Sequence, residues 1–143
     1  MTKHNNNEKQ NMTEKIIGIG TDIVNIMRIE KLRHKHPLAF PKKILHEEEI
    51  KQYERVIVAK KSHYLAKRFA AKEAASKALG TGIRDGLGFN HIAVLNDYHG
   101  APYVIIESPH IKASDYNIRI SLSDDYPFAA AFVIITQTSK AVK

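Results

Sequence analysis

The chain contains no cysteine, which rules out a disulfide framework and a thiolate metal site, so any metal must be held by oxygen or histidine. No stretch approaches the roughly 18 consecutive apolar residues of a membrane span. The opening residues, Met1, Thr2, Lys3 and His4 followed by three asparagines, lack the apolar stretch of a secretory signal, and a cytoplasmic protein is expected. Zinc-ligand spacing is also missing. His4, His34, His36, His46, His63, His91, His99 and His110 form no recognisable metal pattern and are expected to be surface or capping residues.

What the chain does have is 143 residues, 43% of them hydrophobic, enough for one compact domain and too few for two separate cores. Residues 1–14 are polar, asparagine-rich and aperiodic, so a flexible tail is expected there, with residues 15–143 as a single domain. The net charge of +7 is unevenly spread. Residues 28–77 carry fourteen basic and six acidic side chains, whereas residues 1–27 hold three of each and residues 78–143 hold five basic and six acidic. A basic face of this kind concentrates anionic partners, whether nucleic acid, phosphorylated small molecules or an acidic protein.

Periodicity orders the domain. Residues 16–24 are β-branched and contain Gly18 and Gly20, which suits a largely buried strand with a close packing contact or a bulge. Ile26, Ile29 and Leu32 then recur at helical spacing until Pro37, leaving Arg28, Lys31 and Lys35 toward solvent. Glu47, Glu48 and Glu49 form the acidic first turn of a further helix through about residue 58. The longest helical pattern runs over residues 62–79, carries alanines at 66, 70, 71, 74, 75 and 78, and stops at Gly80. Two hairpins follow, one turning at residues 97–100 and one at residues 124–127. The order predicts an α+β domain whose antiparallel sheet packs on the long central helix.

Two carboxylates stand out. Leu65, Phe69, Glu73 and Lys77 follow one another at intervals of four, so a core-like stripe leads into an ionic pair. As an ordinary helix pair, Glu73 and Lys77 would contribute about 0.2–0.5 kcal/mol, but a carboxylate on a partly buried face needs a cation or several donors. Asp22, at the end of the first strand after Gly18-x-Gly20-Thr21, reads equally well as a turn residue. Together Asp22 and Glu73 offer two hard oxygen ligands, the number magnesium commonly takes from protein while leaving other positions to water and phosphate.

The segment from Gly18 through Ile19, Gly20, Thr21, Asp22 and Ile23 to Val24 resembles the first signature of the holo-acyl-carrier-protein synthase type of phosphopantetheinyl transferase. The run from Arg68 through Phe69, Lys72, Glu73, Ser76 and Lys77 to Gly80, Thr81 and Gly82 resembles the second. Similarity continues at Gly100 to Tyr103 and Ile120 to Ser123, so it covers roughly residues 15–136. The resemblance implies the phosphopantetheinyl transferase fold, and magnesium held by Asp22 and Glu73 together with the pyrophosphate of coenzyme A. It also implies a homotrimer with coenzyme A at the subunit boundary, lined by Lys60, Tyr64, Arg68 and Lys77 and bordered by Thr81, Gly82 and Pro102. The helix bearing Arg28, Lys31 and Lys35, with Phe40 and Lys43 after it, corresponds to the surface that docks acyl carrier protein, an acidic partner.

By the same resemblance the carrier's serine hydroxyl attacks the phosphorus nearer pantetheine, 3′,5′-adenosine bisphosphate leaves, and Lys77 stabilises the charge, in support of fatty acid synthesis. The proton acceptor stays open between Glu73, Asp22 acting through water, and a water held by Glu73. One position departs from the pattern: after Ser121-x-Ser123 the family often has histidine, and here Asp124 and Asp125 follow. Asp124 is expected to point to solvent or to cap the turn before Pro127. The competing readings are a basic α+β nucleic-acid-binding module, which would need aromatic residues interleaved with basic ones, and a non-catalytic trimeric adaptor, against which the intact Asp22, Glu73 and Lys77 argue.

Overall fold

The computed structural model describes residues 12–83, 87–112, 114 and 116–140. The elements run β1 (Met12–Asn25), α1 (Ile26–Lys35), α2 (Ala39–Ile44), α3 (Glu47–Arg55), α4 (Val58–Leu79), a 3₁₀ turn (Phe89–His91), β2 (Ile92–Asn96), β3 (Pro102–Ile106), β4 (Asn117–Asp125) and β5 (Phe128–Lys140). The expected α+β architecture is present, with two antiparallel sheets: a three-stranded one in the order β1-β5-β4 and a β2-β3 hairpin.

Close packing of small residues places α4 on the larger sheet. Ala70, Ala71, Ala74, Ala75 and Ala78 of the helix are buried, as are Ala129, Ala131, Val133 and Ile135 on the inner face of β5. The two glycines of β1 are there for the same contact. A Cβ built on Gly18 would sit 1.8 Å from the Ala78 carbonyl oxygen, and one on Gly20 would sit 1.9 Å from that of Ala74. Only hydrogen at these two positions lets strand and helix backbones approach so closely. Asp22, two residues further along the same strand face, is thereby brought beside the last turns of α4.

The first strand is not largely buried as its β-branched run suggests: one face packs on α4, and Ile16, Ile17, Ile19 and Ile23 are exposed. Several boundaries also differ from the periodicity. Pairing of β1 with β5 continues back through Lys15↔Gln137, Glu14↔Thr138 and Met12↔Lys140, and the Glu14 carboxylate accepts from the Thr136 hydroxyl. The tail expected over residues 1–14 therefore gives up residues 12–14 to the strand, because a backbone ladder needs no apolar side chains to extend. Residues 1–11 lie outside the described residues. The helix beginning at Glu47 ends at Arg55 rather than near residue 58. The central helix starts at Val58, four residues before its pattern, since Ile57 carries no capping side chain to announce it. Residues 39–44 form a short helix with Pro41 in its first turn, where the missing N–H breaks no helical bond.

Candidate functional site

Asp22 and Lys77 meet where β1 crosses α4. The Lys77 ammonium donates to Asp22 Oδ1 at 3.0 Å and to the Thr21 carbonyl at 3.0 Å. Glu73, one turn back on the helix, lies close enough to feel both groups. Burial, then the negative charge of Asp22, raises its carboxyl above the ordinary value, while Lys77 and Arg28 pull it back down. Two carboxylates held against each other so that one gains proton affinity are suited to a shared cation. Among the described residues no cluster of three metal-ligating side chains occurs. A metal at this site would take two protein oxygens and leave room for phosphate, which fits magnesium and not a closed structural zinc site.

Lys60, Tyr64, Arg68 and Pro102 gather on another flank of α4. Glu73 and Arg68 are roughly 140° apart around the helix, five residues at about 100° each. Lys60, Tyr64 and Arg68 line a cleft of about 300 Å³, and Arg68 with Pro102 lines an adjoining one of about 290 Å³. Arg68 is buried and strongly oriented: its guanidinium carbon sits 4.1 Å above the Tyr64 ring centroid and one terminal nitrogen donates to Asn96 Oδ1 at 3.0 Å. Its Nε, 4.0 Å from the Glu49 carboxylate, has no hydrogen-bond partner among the described residues. Thr81 and Gly82 follow the left-handed Gly80 that ends α4, just past Lys77, and the Gly82 N–H donates to the Ser76 carbonyl.

Asp124 is exposed, as expected, but it also lines both clefts and brings a carboxylate oxygen to 3.7 Å from the Lys67 ammonium. The reason is the β4–β5 register, which ends β4 alongside the first half of α4, where Lys67 projects from the neighbouring turn. The histidines mostly match expectation: His46 caps α3 by accepting from the Glu48 N–H, and His91 Nδ1 accepts from the Gly88 N–H. His63 is a correction, being partly buried and stacked on Tyr126 at 5.7 Å. His4 lies outside the described residues.

Sequence reasoning missed the buried pair Glu49 and Lys72, both fully inaccessible to solvent. Lys72 donates to the Glu49 carboxylate and to the carbonyls of Ile44 at 2.6 Å and Phe89 at 3.0 Å. Glu49 also accepts from the His46 and Val94 N–H groups at 2.8 and 3.0 Å. One ion pair thus ties α2, α3, the 3₁₀ turn and β2 to the central helix. The available signal was Lys72 itself, a charge flanked by core alanines.

Arg28, Lys31, Lys35 and Lys43 are all exposed. Beside them runs a groove of about 310 Å³ whose apolar walls include Leu32, Phe40, Ile44, Phe69 and Phe89. Arg28 also stands over the Phe69 ring at 5.8 Å, so the basic face reaches the Glu73 stripe.

Residues 18–131 match the 4'-phosphopantetheinyl transferase superfamily. The curated holo-[acyl-carrier-protein] synthase of Orientia tsutsugamushi (strain Ikeda) is 44% identical over 127 residues, which span 85% of this chain and 97% of that protein. The holo-(acyl-carrier-protein) synthase of Bacillus anthracis str. Ames, solved in complex with CoA (3',5'-ADP), has a TM-score of 0.75 and 37% identity over 85% of this chain and 97% of its own. The Helicobacter pylori holo-[acyl-carrier-protein] synthase, solved in complex with coenzyme A, has a TM-score of 0.71 and 34% identity over 82% and 98%. This chain belongs to the holo-[acyl-carrier-protein] synthase family of phosphopantetheinyl transferases.

Proposed function

We infer that the protein transfers the 4'-phosphopantetheine group from coenzyme A to a serine of apo acyl carrier protein, releasing 3′,5′-adenosine bisphosphate, in support of fatty acid and lipid biosynthesis. The observation that carries the reading is the meeting of Asp22, Glu73 and Lys77 at the glycine-mediated crossing of β1 and α4. Asp22 and Glu73 would hold magnesium, which when bound supplies neutralisation of phosphate oxygens. The Lys77 ammonium, exposed and anchored by Thr21 and Asp22, is positioned to stabilise negative charge gathering on the leaving bisphosphate. Asp22 is tied to Lys77, which leaves Glu73, directly or through a water it holds, as the proposed acceptor of the serine proton. As the serine oxygen bonds to phosphorus, the phosphorus–oxygen bond to the bisphosphate breaks and the serine proton passes to Glu73.

Lys60, Tyr64, Arg68 and Pro102, with Thr81 and Gly82 near Lys77, would bind the nucleotide part of coenzyme A. Because Arg68 and Glu73 open on different flanks of one helix, a ligand touching both groups is best accommodated between copies. The outer face of the larger sheet supports a homotrimer built that way: Ile19, Ile23, Phe128 and Phe132 are all exposed there. No helix among the described residues is long and apolar enough to cross a membrane, and a cytoplasmic enzyme would meet its carrier there. A nucleic-acid module finds no support, since the exposed sheet face is aliphatic and phenyl-bearing instead of basic.

Incubation with coenzyme A, magnesium and apo carrier protein should add the mass of one phosphopantetheine to the carrier, and an unmodified carrier would sink the reading. Reversing Lys31 and Lys35 to glutamate should raise KM for the carrier about tenfold while changing that for coenzyme A little, and the defect should shrink with added salt. Steady-state kinetics with each substrate varied check this. Equal effects on both KM values would contradict docking on α1.

A further inference from the structure

We propose that Asp124 is a specificity-determining residue that acts as a built-in counter-ion in the nucleotide cleft, competing with the ribose 3′-phosphate of coenzyme A for Lys67 and Arg68. The inference rests on the function proposed above and concerns which part of the ligand this chain reads, and how tightly. The two adjoining clefts share Lys67, Arg68 and Asp124, so the carboxylate stands on the wall between them. On the cationic side are Lys60, Lys67 and Arg68, and Asp124 is the one carboxylate among the described residues lining either cleft. Arg68 is held by the Tyr64 ring and Asn96, and its buried Nε faces the Glu49 carboxylate at 4.0 Å, so the guanidinium lines the clefts already oriented.

With the diphosphate assigned to Asp22, Glu73 and Lys77, the 3′-phosphate is the anionic group left to meet a second cationic cluster. Its entry places a dianion beside a carboxylate. Like charges at such range repel, and the 3.7 Å ion pair with Lys67 must loosen before the ammonium can turn to the phosphate. Asp124 therefore weakens binding of a 3′-phosphorylated nucleotide more than of one lacking that group. In the free protein it keeps the three cations from repelling one another.

Titration calorimetry of wild type and Asp124→Asn with coenzyme A and with 3′-dephospho-coenzyme A tests the proposal. Asp124→Asn should tighten coenzyme A about fivefold at low salt, change the dephospho form less than about twofold, and lose its advantage as salt rises. Lys67→Met, which leaves Asp124 without its partner, should weaken coenzyme A about fivefold. Asp124→Ser serves as a second neutral variant, with thermal unfolding confirming that each protein is folded. Unchanged or weaker coenzyme A binding in both neutral variants overturns the proposal, as does an equal gain for both ligands. If wild type binds coenzyme A and modifies the carrier while these outcomes hold, only the role of Asp124 fails. A wild type that binds no coenzyme A removes the proposed function as well.

Discussion

Glu73→Gln is expected to lose at least about a hundredfold in transfer rate, a barrier increase of roughly 2.7 kcal/mol, while the metal-free protein unfolds at the same or a higher temperature at neutral pH. The substitution keeps the shape of the side chain and removes a charge that burial and Asp22 both disfavour. Because folding raises the affinity of Glu73 for its proton, its stabilising share is fully present below the unfolded value of about 4.5 and is lost as pH rises through the higher folded value. The glutamine variant should therefore match wild type in acid and gain on it as pH rises, in thermal unfolding with a chelator present. Magnesium titration should show weakened binding in the same variant. Transfer within threefold of wild type at saturating magnesium would remove Glu73 from the chemistry.

Lys72→Met should destabilise the fold by about 3–5 kcal/mol, since it leaves the Glu49 carboxylate buried without its cation. The double variant Lys72→Met with Glu49→Gln should recover at least half of that loss. It removes both charges while glutamine still offers an oxygen to the His46 and Val94 N–H groups. Burial pulls Lys72 down to about 8 despite the opposing pull of Glu49, so its ammonium is a standing cost at neutral pH that the double variant avoids. Denaturant unfolding of the four proteins of this cycle measures the coupling. A cost below about 1 kcal/mol for Lys72→Met would mean that the site relaxes or admits water.

Local patterns made much of the domain legible. The β-branched run around Gly18 and Gly20, the alanine-rich helix and the two hairpins each advertise themselves within a short window, because strand and helix periodicities are properties of neighbouring residues. The short α2 and the uncapped start of α4 at Val58 do not, since neither has a periodic apolar face or a capping side chain long enough to read. Among the site residues, Glu73 and Lys77 declare their proximity by helical spacing alone. Asp22 does not: it joins them through the backbone contact that Gly18 and Gly20 permit.

By itself the sequence determined the chemistry on offer: two carboxylates and a lysine, a concentrated basic segment, and glycines and alanines small enough to bring a strand against a helix. Only the tertiary structure decided that Arg68 opens on a different flank from Glu73, that Lys72 is balanced by Glu49, and that the exposed Asp124 lies beside Lys67. The two ion pairs join residues 23 and 57 positions apart. Their energies depend on burial and register, which exist only once the strands and helices have packed.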